Sequence, residues 1–574
     1  MLLQKLLFWV ILLCPVLSYS QDPVIKAQDV VITEIMADPS PAAGLPELEW
    51  IELRNRSDSD INLLGWKLAK PSSISGPMPD YLLKADSLVL ICSRTSLPDL
   101  LPFGSVLSVT SFPSLSNSGD RITLLSALGQ TVHSVGYQDD WYRNELKKQG
   151  GWTLEMIDIQ NPCGGKENWT ASEDHSGGTP CLPNSVSAPN PDVSTPRLLR
   201  AYPADSLQLV LVFDEPLDSV RSSMSSSYQV DNGIGNPLSV TLSAPSFDHV
   251  NLQLPVPIRR GLNYTVTVQG ATDCTGQPTG IYNTARVALP DHADSLDIII
   301  NEILFNPKSD GNDFVEIYNR GDKVINLKNM YLANRDVYGS ISNIRQLSDE
   351  DRLFFPGEFM VITENKNLVL NQYFAKNSGA FIELSSMPSF GDDEGHVVLL
   401  NEDGRVIDQV HYQDDWHLPL ITDPEGVSLE RIDYLEPSQQ PDNWMSASSS
   451  SGYGTPTYIN SQHRPASVLP GDMVVEPRVF SPDQDGFEDF ALIRYRFPAP
   501  GFLANITVFD AGGRAVRALQ RNAISGIEGY YRWDGLDDKG RRLPVGLYIA
   551  FAEIFNLEGK KKRFKLAVVL SMRH

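Results

Sequence analysis

Histidine, cysteine, basic charge and long apolar runs are all scarce in this chain of 574 residues. Its nine histidines are scattered, and no H-E-x-x-H pairing places two of them on one helical face. No G-x-S-x-G turn raises a serine nucleophile, and no Cys-x-x-Cys offers redox or zinc chemistry. Lys and Arg number 47 against 71 Asp and Glu, a net charge of −24. Phosphate binding requires basic surface, so nucleic acid and anionic lipid are excluded as general partners. Past the N-terminus no run reaches the roughly 18 apolar residues of a spanning helix, so no transmembrane span is expected. No long segment repeats its apolar residues at a helical period.

What is there begins with "MLLQKLLFWVILLCPVLSYS", one Lys, an apolar run and small residues at Ser18 and Ser20. It reads as a signal peptide over residues 1–20, which makes the protein exported: cell-surface, outer-membrane-associated or extracellular. An apolar fraction of 41% and a charged fraction of 21% are those of folded domains, and the length suggests about four. Four cysteines follow the leader: Cys92, Cys163, Cys181 and Cys274. So few cannot staple the chain, and its domains must stand on apolar cores.

The chain repeats itself. "VVITEIMADP" from Val30 returns as "IIINEILFNP" from Ile298, and "GWTLEMIDIQNP" from Gly151 as "GVSLERIDYLEP" from Gly426. "YQDDW" occurs at Tyr137–Trp141 and Tyr412–Trp416, separated by 275 residues, as are Leu154 and Leu429. Two homologous domains over 25–186 and 296–462 follow. Both read as β: "WIEL", "FVEIYN", "RITLL" and "HVVLL" alternate with a period of two, and turn clusters such as "NSGD" and "NEDG" separate them. Two more β-rich blocks lie at 195–290 and 470–574, behind Pro/Ser/Asn-rich spacers. The expected fold is all-β, tandem immunoglobulin-like β-sandwich domains.

"ITEIM", "EWIEL", "INLLGWKL", "VGYQDDW" and the closing "NWTAS" and "GGTP" resemble the lamin-tail domain, and the second copy matches as well. That resemblance implies an immunoglobulin-like sandwich. "VFDEPLD" and "YTVTVQGATDCTG" make 195–290 similar to bacterial Ig-like modules of the surface-layer type. "FSPDQDGFEDF", "VFDAGGRAVRAL" and "WDGLDDKGRRLPVGLY" make 470–574 resemble hook-capping Ig-like domains and the C-terminal domains of gliding-associated, type IX-secreted Bacteroidetes proteins. The last likeness implies a sorting role, with the type IX machinery as a partner.

Within the repeat, candidate chemistry thins out. Asp139 and Asp140 have no matched His or acid partner in both copies, so "YQDDW" reads as a corner: Tyr137 and Trp141 bury ring area and an Asp caps backbone amides. Glu34/Glu302 and Glu52/Glu316 recur as either a metal pair or acceptors for amides and an arginine. Trp169 and Trp444 are core residues or sugar-stacking platforms. Cys163 aligns with Ser438 and Cys181 with Thr457. Their joint absence from copy two suggests a Cys163–Cys181 disulfide, closing a loop of about 18 residues worth roughly 3 kcal/mol. Cys92 and Cys274 read as buried thiols. In "SPDQDGFEDF", Asp483, Asp485 and Asp489 around Gly486 form a calcium candidate, an alternative to a plain acidic turn.

No catalytic residue and no cofactor other than calcium emerges. The expected function is non-enzymatic: an exported surface or envelope module for adhesion, scaffolding or interaction, with a cell-surface protein or glycan as partner. The alternatives are an accessory or cryptic secreted hydrolase, of the phosphatase- or nuclease-associated kind such domains accompany, and a carbohydrate-binding protein.

Overall fold

The computed structural model describes residues 25–421, 423–464 and 471–572; the leader expected over 1–20 lies outside them. The chain is all-β. It divides into two compact units, residues 1–257 with 264–286, and residues 258–263 with 287–574.

In the first unit a six-stranded sheet runs in the order Trp169–Ala171, Leu154–Met156, Val30–Met36, Trp50–Asn55, Leu88–Ser93, Val106–Val109. A four-stranded sheet, Thr131–Gln138, Gly119–Leu125, Lys67–Lys70, Ser73–Ile74, closes the sandwich. Ile32, Ile35, Ile51, Leu53 and Ile91 of the first sheet share one core with Leu68, Ile122, Leu124 and Val135 of the second.

The larger sheet is covered on its other face too. Met36, Trp50, Leu90 and Cys92 pack there with Leu45 and Leu100. This second covering explains why Val30–Met36 is buried at all seven positions instead of alternating. It also puts the alternating polar residues of these strands, Glu34 and Glu52, inside the protein. A bulge between Ile32 and Glu34 interrupts the first strand pair.

The same unit contains a second sandwich. Its sheets are Leu198–Asp205, Gln208–Phe213, His249–Gln253, Ser239–Leu242 and Tyr228–Val230, Tyr264–Val268, Thr284–Val287. Cys163 is disulfide-bonded to Cys274, 111 residues on, which ties the two sandwiches together.

That bond corrects the expected pairing: Cys181 is a free thiol, Cys274 is not, and only Cys92 keeps the buried, unbonded state read from the sequence. The joint absence of the two cysteines from copy two has two separate causes. At position 181 the fold uses the backbone: Cys181 N–H donates to Glu52 Oε2 at 2.7 Å, and Thr457 N–H donates to Glu316 in the same way. The Cys181 side chain then lies with Cys92 and Trp50 on the outer face of the sheet. At position 438 the serine donates to Asp408 at 2.5 Å, a contact internal to copy two.

In the second unit the six-stranded sheet runs Phe381–Glu383, Phe359–Thr363, Phe314–Asn319, Ile298–Leu304, Leu429–Arg431, Trp444–Ser446. Its order matches that of the first, down to a parallel edge strand in each. The bulge recurs between Ile300 and Glu302. The four-stranded partner is Ile341–Gln346, Met330–Arg335, Glu394–Asn401, Val406–Gln413.

Residues beyond 471 form sheets of three and five strands around Phe480, Tyr495, Trp533 and Tyr548. The long hairpin Gly546–Phe555 and Lys561–Leu570 sits in the larger sheet, where, among the described residues, Lys561–Leu570 is hydrogen-bonded on its far side to the short strand Val479–Phe480.

Candidate functional site

"YQDDW" is a corner in both copies. Tyr137 and Tyr412 are buried, and each hydroxyl donates at 2.8 Å to a carbonyl 21 residues upstream, Ser116 and Gly391. Trp141 meets Trp169 with ring centroids 6.4 Å apart, and Trp416 meets Trp444 at the same distance. Trp169 and Trp444 are fully buried, which removes them as sugar platforms. The aspartates depart from the expected amide cap. They occupy a 3-10 turn, where Asp139 pairs with Lys148 at 3.2 Å and Asp140 with Lys166 at 2.6 Å, on the surface.

The recurring glutamates form a larger constellation than the sequence indicated. Three strands carry one each: Glu34 lies opposite Glu52 on one side and Glu155 on the other, and Glu302 likewise opposite Glu316 and Glu430. All six are buried. Their partners come from the sheet itself and from the segment that closes each domain. Thr179 N–H and Thr153 Oγ1–H donate to Glu34 Oε1 at 2.8 and 2.6 Å, and Thr179 Oγ1–H to Glu155 at 2.9 Å. Thr455 N–H and Ser428 Oγ–H donate to Glu302 Oε1 at 2.8 and 2.5 Å, and Thr455 Oγ1–H to Glu430 at 2.8 Å. The "GTP" of each closing segment is thereby explained: threonine supplies two donors, and a Cβ on Gly178 would come within 2.8 Å of Glu34 Oε1.

Of the two readings weighed for these glutamates, the acceptor role is the one the contacts describe. The arginines beside these glutamates, Arg54 and Arg320, do not hydrogen-bond them: Arg54 pairs with Asp86, and Arg320 donates to the carbonyls of Leu296 and Tyr434. Burial, then the neighbouring glutamates, hold Glu34 well above the ordinary carboxyl range; burial raises Glu52 and Glu302 to about 8. For Glu34, Glu52 and Glu302 the buried setting favours the protonated form, and their contacts knit the closing segment to the sheet.

The bulge amide in each copy has its own acceptor. In copy one Ile32 N–H donates to His133 Nδ1 at 3.1 Å, and burial lowers that imidazole to about 4, so it stays neutral. In copy two Ile300 N–H donates to Asp408 Oδ2 at 2.8 Å, and Arg431 pairs with that carboxylate at 3.2 Å. Position 431 corresponds to Met156, so copy two carries an acid with its own counter-ion where copy one carries a neutral imidazole and a methionine. Burial pushes Asp408 up and Arg431 down to about 10, each partly offset by the other's charge.

Two acidic clusters bring carboxylate oxygens within 4.8 Å of one another. One is the calcium candidate from the sequence, Asp483, Asp485 and Asp489. It is mostly exposed, and its carboxylates also accept from their own turn: Asp489 from the amides of Gln484 and Gly486, Asp485 from that of Phe487. The other is Asp192, Glu215 and Asp273, in the first unit. Sequence reasoning missed it because its members stand in a spacer, at a strand end and in a turn. The available signals were the acidic pair in "FDEP" and the aspartate in "TDCTGQ". Burial, then Asp192 and Asp273, raise Glu215 to about 7. Glu215 also borders a cleft of about 560 Å³ lined by His133, Cys163, Asp218 and Cys274.

Among the described residues no helix is long and apolar enough to cross a membrane.

Residues 23–139 and 292–414 match the Lamin Tail Domain family. No curated protein matches the chain. Among solved structures, the N-terminal part of the bacterial S-layer protein SbsC is 16% identical, with 38% of this chain and 44% of that one covered and a TM-score of 0.16. A Ca2+-stabilized adhesin that helps an Antarctic bacterium bind ice is 9% identical over 96% of this chain and 100% of its own, at a TM-score of 0.12. A DUF4876 family protein from Bacteroides thetaiotaomicron is 14% identical over 37% of this chain and 83% of its own, at 0.17. The chain thus spans under half the length of the S-layer fragment.

Proposed function

We propose that this chain, with its two lamin-tail regions, is an exported surface or envelope protein that works by presenting surfaces for adhesion, scaffolding or interaction, and not by catalysis. The observation that carries the reading is the fate of the recurring side chains. The tyrosine, the three glutamates and the closing tryptophans Trp169 and Trp444 that both copies share are buried within each domain, so the working surface of each domain is read as its loops. The modules in this reading are 25–186, 195–290, 296–462 and 470–574, with a cell-surface protein or glycan as partner. The test is capture of partners from the native cell surface with the full chain, beside turnover assays with phosphate-ester, nucleic-acid and carboxyl-ester substrates. Sustained turnover that survives repurification would replace this reading with that of a secreted hydrolase.

Residues 470–574 act in the same proposal as an export and attachment module. What supports this is the strand Lys561–Leu570, whose outer edge, among the described residues, is paired as a ladder only at Val569 and Leu570; an added strand would pair along the rest. The basic turn is less positive than its sequence: Lys560 pairs with Glu558, and Lys561 and Arg563 with Glu553. The edge, more than charge, is the recognition feature. Truncation at about residue 465 in the native host should leave folded protein in the periplasm; undiminished arrival at the surface refutes the assignment. Asp483, Asp485 and Asp489 are read as a Ca²⁺-binding turn of the same module, tested by Asp485→Asn.

A further inference from the structure

We propose that Asp192, Glu215 and Asp273 form a second, partly buried divalent-cation site, selective for Ca²⁺, that clamps the spacer after the first sandwich onto the second. The inference goes beyond the surface role proposed above and does not depend on it.

The argument starts from Asp273. It is 1% exposed, and its Oδ1 accepts four donors from its own turn: the amides of Thr275, Gly276 and Gln277 at 2.7, 2.7 and 2.9 Å, and Thr275 Oγ1–H at 2.9 Å. This fixes the carboxylate plane. Oδ2 is buried with no donor at all. A buried carboxylate oxygen without a partner is rare, because burial removes water and returns nothing.

Asp273 stands in a group of three acids. Carboxylate oxygens of Asp192, Glu215 and Asp273 lie within 4.8 Å of one another. Two ligands on one Ca²⁺ at 2.3–2.6 Å stand at most about 5 Å apart, so oxygens within this limit are close enough to share one ion. Two arginines lie nearby, and the ion pairs they make are with other acids: Arg197 Nε donates to Asp214 Oδ2 at 2.7 Å, and Arg221, beside the Asp273 turn, pairs with Asp218 at 3.7 Å, although the Arg197 charge also favours the ionised form of Glu215. Asp192 Oδ1 is occupied by Ser194 N–H and Oγ–H at 2.9 and 2.6 Å, which leaves its other oxygen for a ligand.

The scaffold holds the three acids together. Leu217 bridges to Asp273 beside Glu215, and Gln277 Nε2 donates to the Asp192 carbonyl at 3.2 Å. Cys274, next to Asp273, carries the disulfide to Cys163. Thr272 Oγ1 and Thr279 Oγ1, in the same turn, are also buried without partners. Hard oxygen donors of irregular arrangement suit Ca²⁺, which accepts six to eight of them.

The experiment uses the full chain and CaCl₂ as probe, with MgCl₂ for comparison. Calorimetric titration and hydrogen exchange are run on wild type, Asp192→Asn, Glu215→Gln and Asp485→Asn. We expect Ca²⁺ to slow exchange at least several-fold in segments 190–194 and 272–280. That slowing should be lost in Asp192→Asn and Glu215→Gln, neither of which alters the Asp273 turn, and kept in Asp485→Asn. Mg²⁺ at equal concentration should slow exchange less. Absence of Ca²⁺-dependent slowing in wild type overturns the site, as does slowing that persists in both variants or that disappears in Asp485→Asn alone.

Discussion

Replacing Glu52 by glutamine isolates the physics of the buried acids. A carboxyl raised from 4.5 to about 8 in the folded state holds a proton that the unfolded chain has already released. Its contribution to stability is complete below pH 4.5 and is lost as pH rises through about 8. The buried imidazoles of His133 and His417, lowered to about 4, act in the opposite sense, but only below their unfolded value near 6.5. The window from pH 6.5 to 8 therefore reports the acids. Each retained proton is worth about 1.4 kcal/mol per pH unit, or about 2 kcal/mol across that window. Glutamine is neutral throughout. Its carbonyl takes the Cys181 N–H, and the Thr33 hydroxyl, 2.8 Å from Glu52 Oε1, turns to accept from the new amide. The assay is hydrogen exchange over Val30–Met36, corrected for intrinsic rate, with Ile298–Leu304 as the internal control. Wild-type protection should fall from pH 6.5 to 8 in both strands. In Glu52→Gln the fall in the first strand should shrink by about 2 kcal/mol, and the second should not change. Equal slopes in variant and wild type, or protection that rises with pH, would refute the account of these groups as buried neutral acids.

Unreduced peptide mapping should show Cys163 linked to Cys274, with Cys92 alkylated only after unfolding; opening the 111-residue loop with Cys274→Ser should cost about 4–5 kcal/mol by loop entropy. Tyr137→Phe and Tyr412→Phe each remove one buried hydrogen bond and should lower stability by about 1 kcal/mol in chemical denaturation. Asp408→Ala strands the fully buried Arg431 and should cost about 3–5 kcal/mol, whereas Asp408→His with Arg431→Met, which copies His133 and Met156, should recover most of it. If the double variant is no better than Asp408→Ala, the two bulge acceptors are not interchangeable.

The sandwiches were legible because a duplicated domain carries its own control. Residues that repeat at a fixed offset, such as Tyr137 and Tyr412, must answer to something both copies share, and that is the fold. The glutamates were only half legible. Glu34 and Glu52 were visible as a pair; Glu155 recurs as Glu430 at the same offset, but nothing in a strand's period reveals that a sheet is covered on both faces and that the three therefore meet inside. The disulfide was misread for an instructive reason: two cysteines missing together need not have been bonded together. In copy two the matching positions, Ser438 and Thr457, each serve a separate local contact. The cluster of Asp192, Glu215 and Asp273 lay beyond pattern reading altogether, because its three members come together only through tertiary contacts.

The bond between Cys163 and Cys274 also bears on how the chain transmits force. Tension entering at one end of the polypeptide crosses directly from residue 163 to residue 274, and the residues between them carry none of it. A separation of 111 residues amounts to roughly 370–400 Å of extended chain at about 3.3–3.6 Å per residue. While the bond is closed that length is withheld, and most of the second sandwich stays folded whatever load its neighbours bear. Reduction returns it to the load path as slack, so the redox state of one bond sets how far a tethered copy of this chain can stretch.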